Sequence, residues 1–556
     1  MWQSLIAKGQ FAEALPILER IAVTTPNAEV LHALGTCHKR LGHYPNAYKY
    51  YEAVLTSNPA YIDTLREAPS VANMLGFYAK SKEYLMRLNS LSPSAGLKVT
   101  LATMLPQMME STEQIKALRE EFMHNLDQLV KDGIVIKGEI HNSLIHSSFY
   151  LAYHGMNDRE IQRKLAETYT KICPSLLYTA KHVRKGVTKK EKLRVGFFSK
   201  YFGEEHPVAI HFAGVIAGLG KLPEFEVSII SKPYVSKNEQ PPAWLSSVCK
   251  HVVQVPELLS EARKAIEKLA LDVLIFTEIG MDPFTYFLAF SKLAPVQCMM
   301  GGHPDTTGIS AIDYFISSIP VEPENGQDHY NERLIRLANI PVSIKKPALP
   351  DAYGRRAQFG LPENLNLYMC PMMLQKIHPE FDDAINGILT RDEKAMVLFF
   401  SAHGDWQHQL MQRFKRTMPE AYLRRIGFVP YLPMGQFTSL LSCADVVLDS
   451  FHFGGGTTSY IALGIGVPVM TLPSAYMRGR VAYALYQQMG GGFDAVIAKD
   501  AEDYVTKAVK LAGDKALQKQ LHDALLQKNA VVFENPNAVE DFARMLRSLE
   551  IETAVA

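Results

Sequence analysis

The spacing of apolar residues changes character near residue 190. Upstream, stretches such as STEQIKALREEFMHNLDQLV and NDREIQRKLAETYTKI carry apolar positions at the period of an amphipathic helix, and residues 60–180 read as helical throughout. Downstream, short apolar runs rich in β-formers alternate with helical segments. LRVGFFS (193–199), FEVSIIS (225–231), HVVQV (251–255), LDVLIFT (271–277), PVQCMMG (295–301) and YFISS (314–318) predict strands of one parallel sheet. After a link bearing Pro341, Pro347 and Pro350 the alternation restarts. LNLYMCP (365–371), AMVLFFSA (395–402), RRIGFVP (424–430), DVVLDSF (445–451) and VPVMTLP (467–473) predict a second sheet, each strand followed by a helix. The expected fold class is therefore α/β, two Rossmann-like lobes preceded by an all-α domain. No GxGxxG fingerprint follows the first strand. Ligands of such sheets bind outside the carboxyl ends of the strands, so the loops there and the cleft between the lobes are where chemistry is sought.

The first hundred residues repeat. Gly9-x-Phe11-x-x-Ala14 recurs as Gly42-x-Tyr44-x-x-Ala47, and Pro26 recurs as Pro59. Leu31, Leu34-Gly35, Ala47, Tyr51, Val54 and Pro59 fit the tetratricopeptide pattern, in which small residues let two antiparallel helices approach and proline ends the second. One such hairpin cannot bury its apolar face alone, so more helices must follow. The pattern fades after residue 60. The expected divisions are a tetratricopeptide-like domain (1–98), a helical connector (99–188), a first lobe (189–350), a second lobe (351–534) and a C-terminal helix (535–556) able to cross back and brace the first lobe. A concave helical surface suits a peptide; the alternative is that these helices only support the lobes.

Composition narrows the function classes. A chain of 556 residues exceeds one hydrophobic core, and Lys+Arg 58 against Asp+Glu 57 leaves a net charge of +1, with no electrostatic footprint for nucleic acid or an anionic membrane. Phosphate chemistry would have to come from a local site. The six cysteines are scattered without a CxxC pair, which predicts reduced thiols. The N-terminus lacks a signal-peptide pattern and no apolar run approaches the roughly 20 residues that cross a bilayer, so a soluble, cytoplasmic chain is expected.

The sharpest local signal is Phe453-Gly454-Gly455-Gly456-Thr457-Thr458, between a strand ending at Asp449 and the helix SYIALGIG. Glycines admit close backbone approach, and threonines at the N-cap and first turn add hydroxyls to the helix dipole; a diphosphate suits such a loop, though a plain tight turn reads the same way. Lys376 follows the first strand of the same lobe and can neutralise a phosphate as a compact charge. In the first lobe, His206-Pro207 follows the first strand and Gly301-Gly302-His303-Pro304 the fifth, both directed at the cleft. Either histidine could take a proton or orient a substrate. Glu278 and Asp282 add carboxylates at that rim, and Arg478 and Arg480 are further candidate anion contacts. No HExxH, no DxD before an apolar run and no Cys/His cluster is present, so no metal or other cofactor is expected and leaving-group charge would fall to Lys376 and the FGGGTT helix start.

With these helices, lobes and loops in this order, the chain resembles the O-linked N-acetylglucosamine transferase (SPINDLY-type) family, including its bacterial members. RVGFFSKYFGEEHP is similar to the family segment whose histidine lies beside the reacting sugar, which places that role on His206. LQKIHP matches the diphosphate lysine with Lys376, and Thr457-Thr458 match the threonine pair that holds the phosphates. DVVLDSFHFGGGTTSYIALGIGVPVMTLP matches the family signature without gaps. IGMDPFTYFLAFSKLAPVQCMMGGHPDTT is closer to the bacterial cytoplasmic N-glycosyltransferases that modify adhesins. The chain departs from eukaryotic members at Met434 and Phe437 (lysine and histidine there), Ile461 (a ribose-contacting aspartate) and Met373 (a glutamine).

The resemblance implies a GT-B fold and an inverting, metal-independent transfer from a UDP-sugar co-substrate to protein side chains, Ser/Thr or Asn. It puts the first lobe on the acceptor side, with His303 and Asp282, and the second on the donor side, with Lys376, Gly454, Gly455, Gly456, Thr457, Thr458 and Arg478. His206 and Lys376 would be the catalytic pair, and the helical repeats would engage the acceptor protein. Two other readings stay open: transfer to a small molecule, lipid or glycan, and a non-catalytic scaffold that binds nucleotide sugar. The donor sugar is open as well.

Overall fold

The computed structural model describes residues 1–145, 148–185, 191–234, 237–351, 353–401 and 405–550. Six helices begin the chain: α1 (Trp2–Ala7), α2 (Phe11–Thr24), α3 (Ala28–Arg40), α4 (Tyr44–Ser57), α5 (Ile62–Met74) and α6 (Tyr78–Leu91). They form three hairpins whose turns carry Gly9, Gly42 and Gly76, all at positive φ (75°, 78° and 86°), where glycine carries no Cβ penalty. The repeat thus does not fade at residue 60. Its third copy is Gly76-x-Tyr78-x-x-Ser81, with Pro93 in the place of Pro26 and Pro59. Ser81 replaces alanine and is fully buried, its hydroxyl donating to the Pro69 carbonyl at 2.8 Å. At the heart of the second copy Tyr51 is fully buried against Gly35, where a Cβ would stand 2.4 Å from the tyrosine ring.

The third turn docks on the second lobe. The Gly76 carbonyl accepts from Gln409 Nε2 at 2.7 Å, the Leu75 carbonyl accepts from the Asp405 N–H at 3.0 Å, and the Trp406 ring occupies the space a Gly76 side chain would need. The connector that follows holds α7 (Ala95–Thr103), α8 (Thr112–Lys131) and α9 (Arg159–Ile172). It is not helical throughout. Residues 104–111 and the described part of 132–158 are irregular apart from two short 3₁₀ turns, Ile140–Asn142 and Ser148–Tyr153, because Pro106 and positive-φ Gly133, Gly138 and Gly155 interrupt the helical pattern.

The first lobe is a parallel sheet of seven strands: β1 (Leu193–Phe198), β2 (Phe225–Ser231), β3 (His251–Gln254), β4 (Val273–Phe276), β5 (Val296–Met300), β6 (Tyr314–Ser318) and β7 (Arg333–Leu337), in the order β3-β2-β1-β4-β5-β6-β7. Six match predicted runs. β7, RLIRL, has charged residues among its apolar ones and lies on the sheet edge, so its run was too interrupted to read. The second lobe has five parallel strands: β8 (Asn366–Cys370), β9 (Ala395–Phe400), β10 (Ile426–Val429), β11 (Val446–Leu448) and β12 (Val469–Met470), ordered β10-β9-β8-β11-β12. The predicted strand end at Ala402 lies outside the described residues. In each sheet the strand order reverses once, between β1 and β4 and between β8 and β11. Those reversals open a crevice at the carboxyl ends, where α/β sheets bind ligands.

The helix Pro536–Ser548 returns to the first lobe. Phe542 is fully buried 6.3 Å from the Phe197 ring, and Asp541 accepts from Asn339 Nδ2 at 2.6 Å. The last six residues of the expected C-terminal helix segment, 551–556, lie outside the described residues. No helix among the described residues is long and apolar enough to cross a membrane. All six cysteines are free, and five are buried.

Candidate functional site

A cavity of about 380 Å³ lies between the lobes. Its second-lobe wall comes from the loops after β8 and β11, the two strands that flank the reversal of that sheet. Lys376 stands in the 3₁₀ turn Leu374–Lys376, its Nζ 2.9 Å from the Gly454 carbonyl and 4.3 Å from the Phe453 ring centroid. Burial pulls its ammonium down to about 8, opposed by the charge of Asp449. Asp449 itself is buried, and burial pushes its carboxyl up to about 6 against bonds from the Gly455 N–H (2.7 Å) and the Thr471 hydroxyl (2.8 Å).

The glycine loop is held from within. The Gly454 N–H donates to the Arg478 carbonyl at 2.8 Å and the Gly455 N–H to Asp449, so neither is directed at a ligand. A Cβ on Gly454 would stand 2.6 Å from the Asp449 carboxylate, and one on Gly455 2.4 Å from Thr458 Oγ1, which leaves room for glycine alone. The helix Thr457–Gly464 has Gly456 as its N-cap, so the threonines are its first two residues and not the N-cap expected from sequence. Gly454, Gly456, Thr457 and Thr458 line the cavity, whereas Gly455 does not. The anion-binding capacity of this loop therefore rests on the N–H groups of Thr457 and Thr458 and on their two hydroxyls, because the next N–H, that of Ser459, is taken by the Gly456 carbonyl at 3.0 Å.

The first-lobe wall is built around histidines. His206 caps the helix Pro207–Gly220, its Nδ1 accepting the Val208 N–H at 3.3 Å, and its ring stacks on Tyr201 with centroids 4.1 Å apart. Burial, aided by the charge of Lys200, pushes it down to about 4. An imidazole that is neutral and accepts at Nδ1 carries its hydrogen on Nε2, so His206 offers the cavity a donor, and the geometry does not support the proton-abstracting role. His303 is buried and stacks on Phe149 at 4.8 Å, in space opened by Gly280, whose φ is +108°.

Several expected residues serve other ends. Asp282 is the N-cap of the helix Pro283–Leu288, accepting the Thr285 N–H at 3.0 Å, and pairs with Lys200 (3.5 Å) and Lys232 (3.8 Å); its neighbour Met281 lines the cavity instead. Glu278 is buried beneath the wall, bonded to the Thr277 and Ser199 hydroxyls, and burial raises it to about 7. Arg478 reaches the cavity edge, but its Nη2 is committed to Asp158 (2.9 Å) and the Met156 carbonyl (2.5 Å), and Asp305 stands 3.5 Å from Nη1. It locks the connector to the lobes, and among the described residues its Nε is left without a partner. Arg480 is held by the Val321 and Ser474 carbonyls at 2.7 and 3.0 Å.

Sequence reasoning missed four participants. His211, in the same helix as His206, places Nε2 3.0 Å from Thr457 Oγ1 and so joins the lobes across the cleft; burial, then Lys376 and His206, push it down to about 4. Its signal was a single polar residue in AIHFAGVIAGL. Asp449 was visible as a carboxylate closing an apolar strand. Phe149 and Tyr153 reach the cavity from the connector, Tyr153 packing on Phe453 at 4.7 Å, and nothing in their local pattern announced it. Among the described residues, His378, Glu380 and His452 also bring one ligand atom each within 4.8 Å of one another, a cluster that the motif search did not find. His452 lies 72 residues beyond Glu380, too far for any spacing motif.

Comparison with known proteins bears on this arrangement. A family model described as glycosyl transferase family 41 matches residues 120–342 and 351–536. The probable UDP-N-acetylglucosamine–peptide N-acetylglucosaminyltransferase SEC of Arabidopsis thaliana is 29% identical over 352 residues, 60% of this chain and 35% of SEC. A UDP-glucose:protein N-beta-glucosyltransferase of Actinobacillus pleuropneumoniae serotype 5b is 25% identical over 277 residues, 48% of this chain and 43% of that one. The chain thus spans less than half the length of these curated relatives. A mutant O-GlcNAc transferase of Thermobaculum terrenum superimposes with a TM-score of 0.69 at 19% identity, covering 98% of this chain and 95% of the other, and so shares its fold.

Proposed function

The chain belongs to glycosyl transferase family 41, and on that premise we propose that it is an inverting, metal-independent transferase that moves a hexose or N-acetylhexosamine from a UDP-sugar to protein side chains in the cytoplasm. The observation that carries this reading is the meeting, in one cavity, of Lys376 and the helix start at Thr457 from one lobe with His206, His211 and His303 from the other. The donor diphosphate takes the place of the Gly454 carbonyl at Lys376 Nζ and accepts from the first-turn N–H groups and hydroxyls of Thr457 and Thr458. Charge that develops on the leaving group then meets a preorganised cation and helix dipole.

His206 orients the sugar or the incoming side chain through Nε2–H. Because both first-lobe histidines that cap or bridge are held neutral, the rate gain comes from positioning and electrostatics more than from a strong base. The acceptor, a Ser/Thr hydroxyl or an Asn amide, enters beside His303 and Met281, and the helical repeats engage the protein that carries it.

The test is a calorimetric and thermal-shift panel of UDP, UDP-glucose, UDP-GlcNAc and GDP-sugars with EDTA present, on the wild type and on Lys376→Ala. Tight binding of one UDP-sugar by the wild type alone is expected, followed by transfer of that sugar to acid-precipitable protein. If no nucleotide binds, the loop is only a turn and the transferase reading fails.

A further inference from the structure

Two histidines sit directly behind the wall that carries Lys376 and the glycine loop, and neither lines the cavity. Ile377 and His452 form an antiparallel bridge, which sets the His378 and His452 rings 4.8 Å apart at 82°. Glu380, in the first turn of the helix Pro379–Arg391, places Oε2 2.8 Å from His452 Nε2. One ligating atom from each of the three lies within 4.8 Å of the others.

The surroundings favour a cation. His378 is buried, with 4% of its surface exposed, and its Nε2 has no hydrogen-bond partner. Arg413, the nearby guanidinium, is neutralised by a two-point pair with Asp382 at 2.7 Å for each bond. Glu380 is half exposed, which leaves a water-accessible side. Two imidazoles and a carboxylate with one open position form a donor set that zinc takes at about 2.0–2.2 Å, and ligand atoms already within 4.8 Å of one another need little movement to close on it.

We propose that His378, Glu380 and His452 form a zinc site that fastens the Lys376 turn to the glycine-rich loop. The ion is structural: it stands outside the cavity and takes no part in sugar transfer. Ligation through either ring nitrogen of His378 gives up the long 3.2 Å bond from the Glu380 N–H to Nδ1, and a metal–nitrogen bond outweighs that loss. Because the site ties together the two segments that carry the donor wall, a bound ion holds Lys376 and Gly454 in register whether or not nucleotide is present.

The full chain, stripped with EDTA and dialysed, would be titrated with zinc by calorimetry and with cobalt(II) by visible absorption. Glu380→Gln and His452→Gln would be treated identically, with circular dichroism as a folding control. Glu380→Gln changes a half-exposed, isosteric side chain and keeps the fold. One equivalent of zinc with affinity at least tenfold weaker in both variants is expected, together with intense tetrahedral cobalt bands that both variants lose. Absence of stoichiometric binding, or equal binding by wild type and variants, overturns the proposal. The readout needs neither donor nor acceptor, so its outcome is independent of the transferase reading.

Discussion

The second lobe meets the cleft with a lysine and the start of a helix, whereas the first lobe meets it with histidines, two of which burial holds down to about 4. One wall supplies fixed positive potential and the other supplies neutral, directional hydrogen bonds. Burial lowers the lysine and the two histidines alike, so the difference starts from residue type, and the neighbours add to it. Lys376 lies near buried Asp449, which helps to keep a cation there, while His206 faces Lys200, whose charge works against protonation. A two-lobed site can thus separate the handling of a polyanion from the handling of the group to be transferred. The asymmetry is set by residue type and reinforced by these neighbours.

Breaking the charged wall should cost most. Lys376→Ala is expected to lower turnover by about 10²–10³-fold, roughly 2.7–4 kcal/mol of transition-state stabilisation, and to abolish UDP binding. Wild-type turnover in this variant, measured at saturating donor, would remove the contrast between the walls. The neutral wall should be more forgiving. His206→Gln retains a donor and should stay within about tenfold of wild type, while His206→Ala should lose about 10–100-fold. Equal loss in both, with an acidic limb in the pH–rate profile, would instead mark His206 as a base.

A pH series sharpens the comparison further. Lys376 has its free-state value near 8, and a bound diphosphate raises it, so UDP affinity should be level between about pH 7 and 8, where the terminal phosphate is already ionised, and fall by up to about tenfold per pH unit above it. Binding above pH 8 then takes up a proton, visible as a calorimetric enthalpy that depends on the buffer. Affinity unchanged to pH 9.5 would detach the lysine from the donor. The smallest effect concerns the single bond that joins the walls. In a double-mutant cycle, His211→Phe and Thr457→Val should couple by about 1 kcal/mol in UDP affinity, and additive losses would show that the 3.0 Å contact is incidental.

Much of this was legible in the chain. Strands β1 to β6 and the second-lobe strands announced themselves because parallel strands buried on both faces read as continuous apolar runs. Lys376 and the loop at Gly454 were found because they follow strands, and strand ends are where such sheets do chemistry. The third repeat was equally present, as Gly76-x-Tyr78 and Pro93, but Ser81 in an alanine position hid it. What sequence could not supply was pairing. Arg478 resembles an anion contact until Asp158 is seen against it, and Asp282 resembles an acceptor-side acid until Thr285 shows it to be a helix cap. Likewise His211 acquires meaning only through Thr457, 246 residues away.

The docking of the Gly76 turn on the Trp406 helix bears on motion. The chain crosses between lobes at the proline link, crosses back through Pro536–Ser548, and is pinned a third time where the repeats clasp the second lobe. A door hung at three separated points does not swing. Any opening of the cleft must carry the helical hairpins with the second lobe or break the bonds that Gln409 and Asp405 donate to the Gly76 turn.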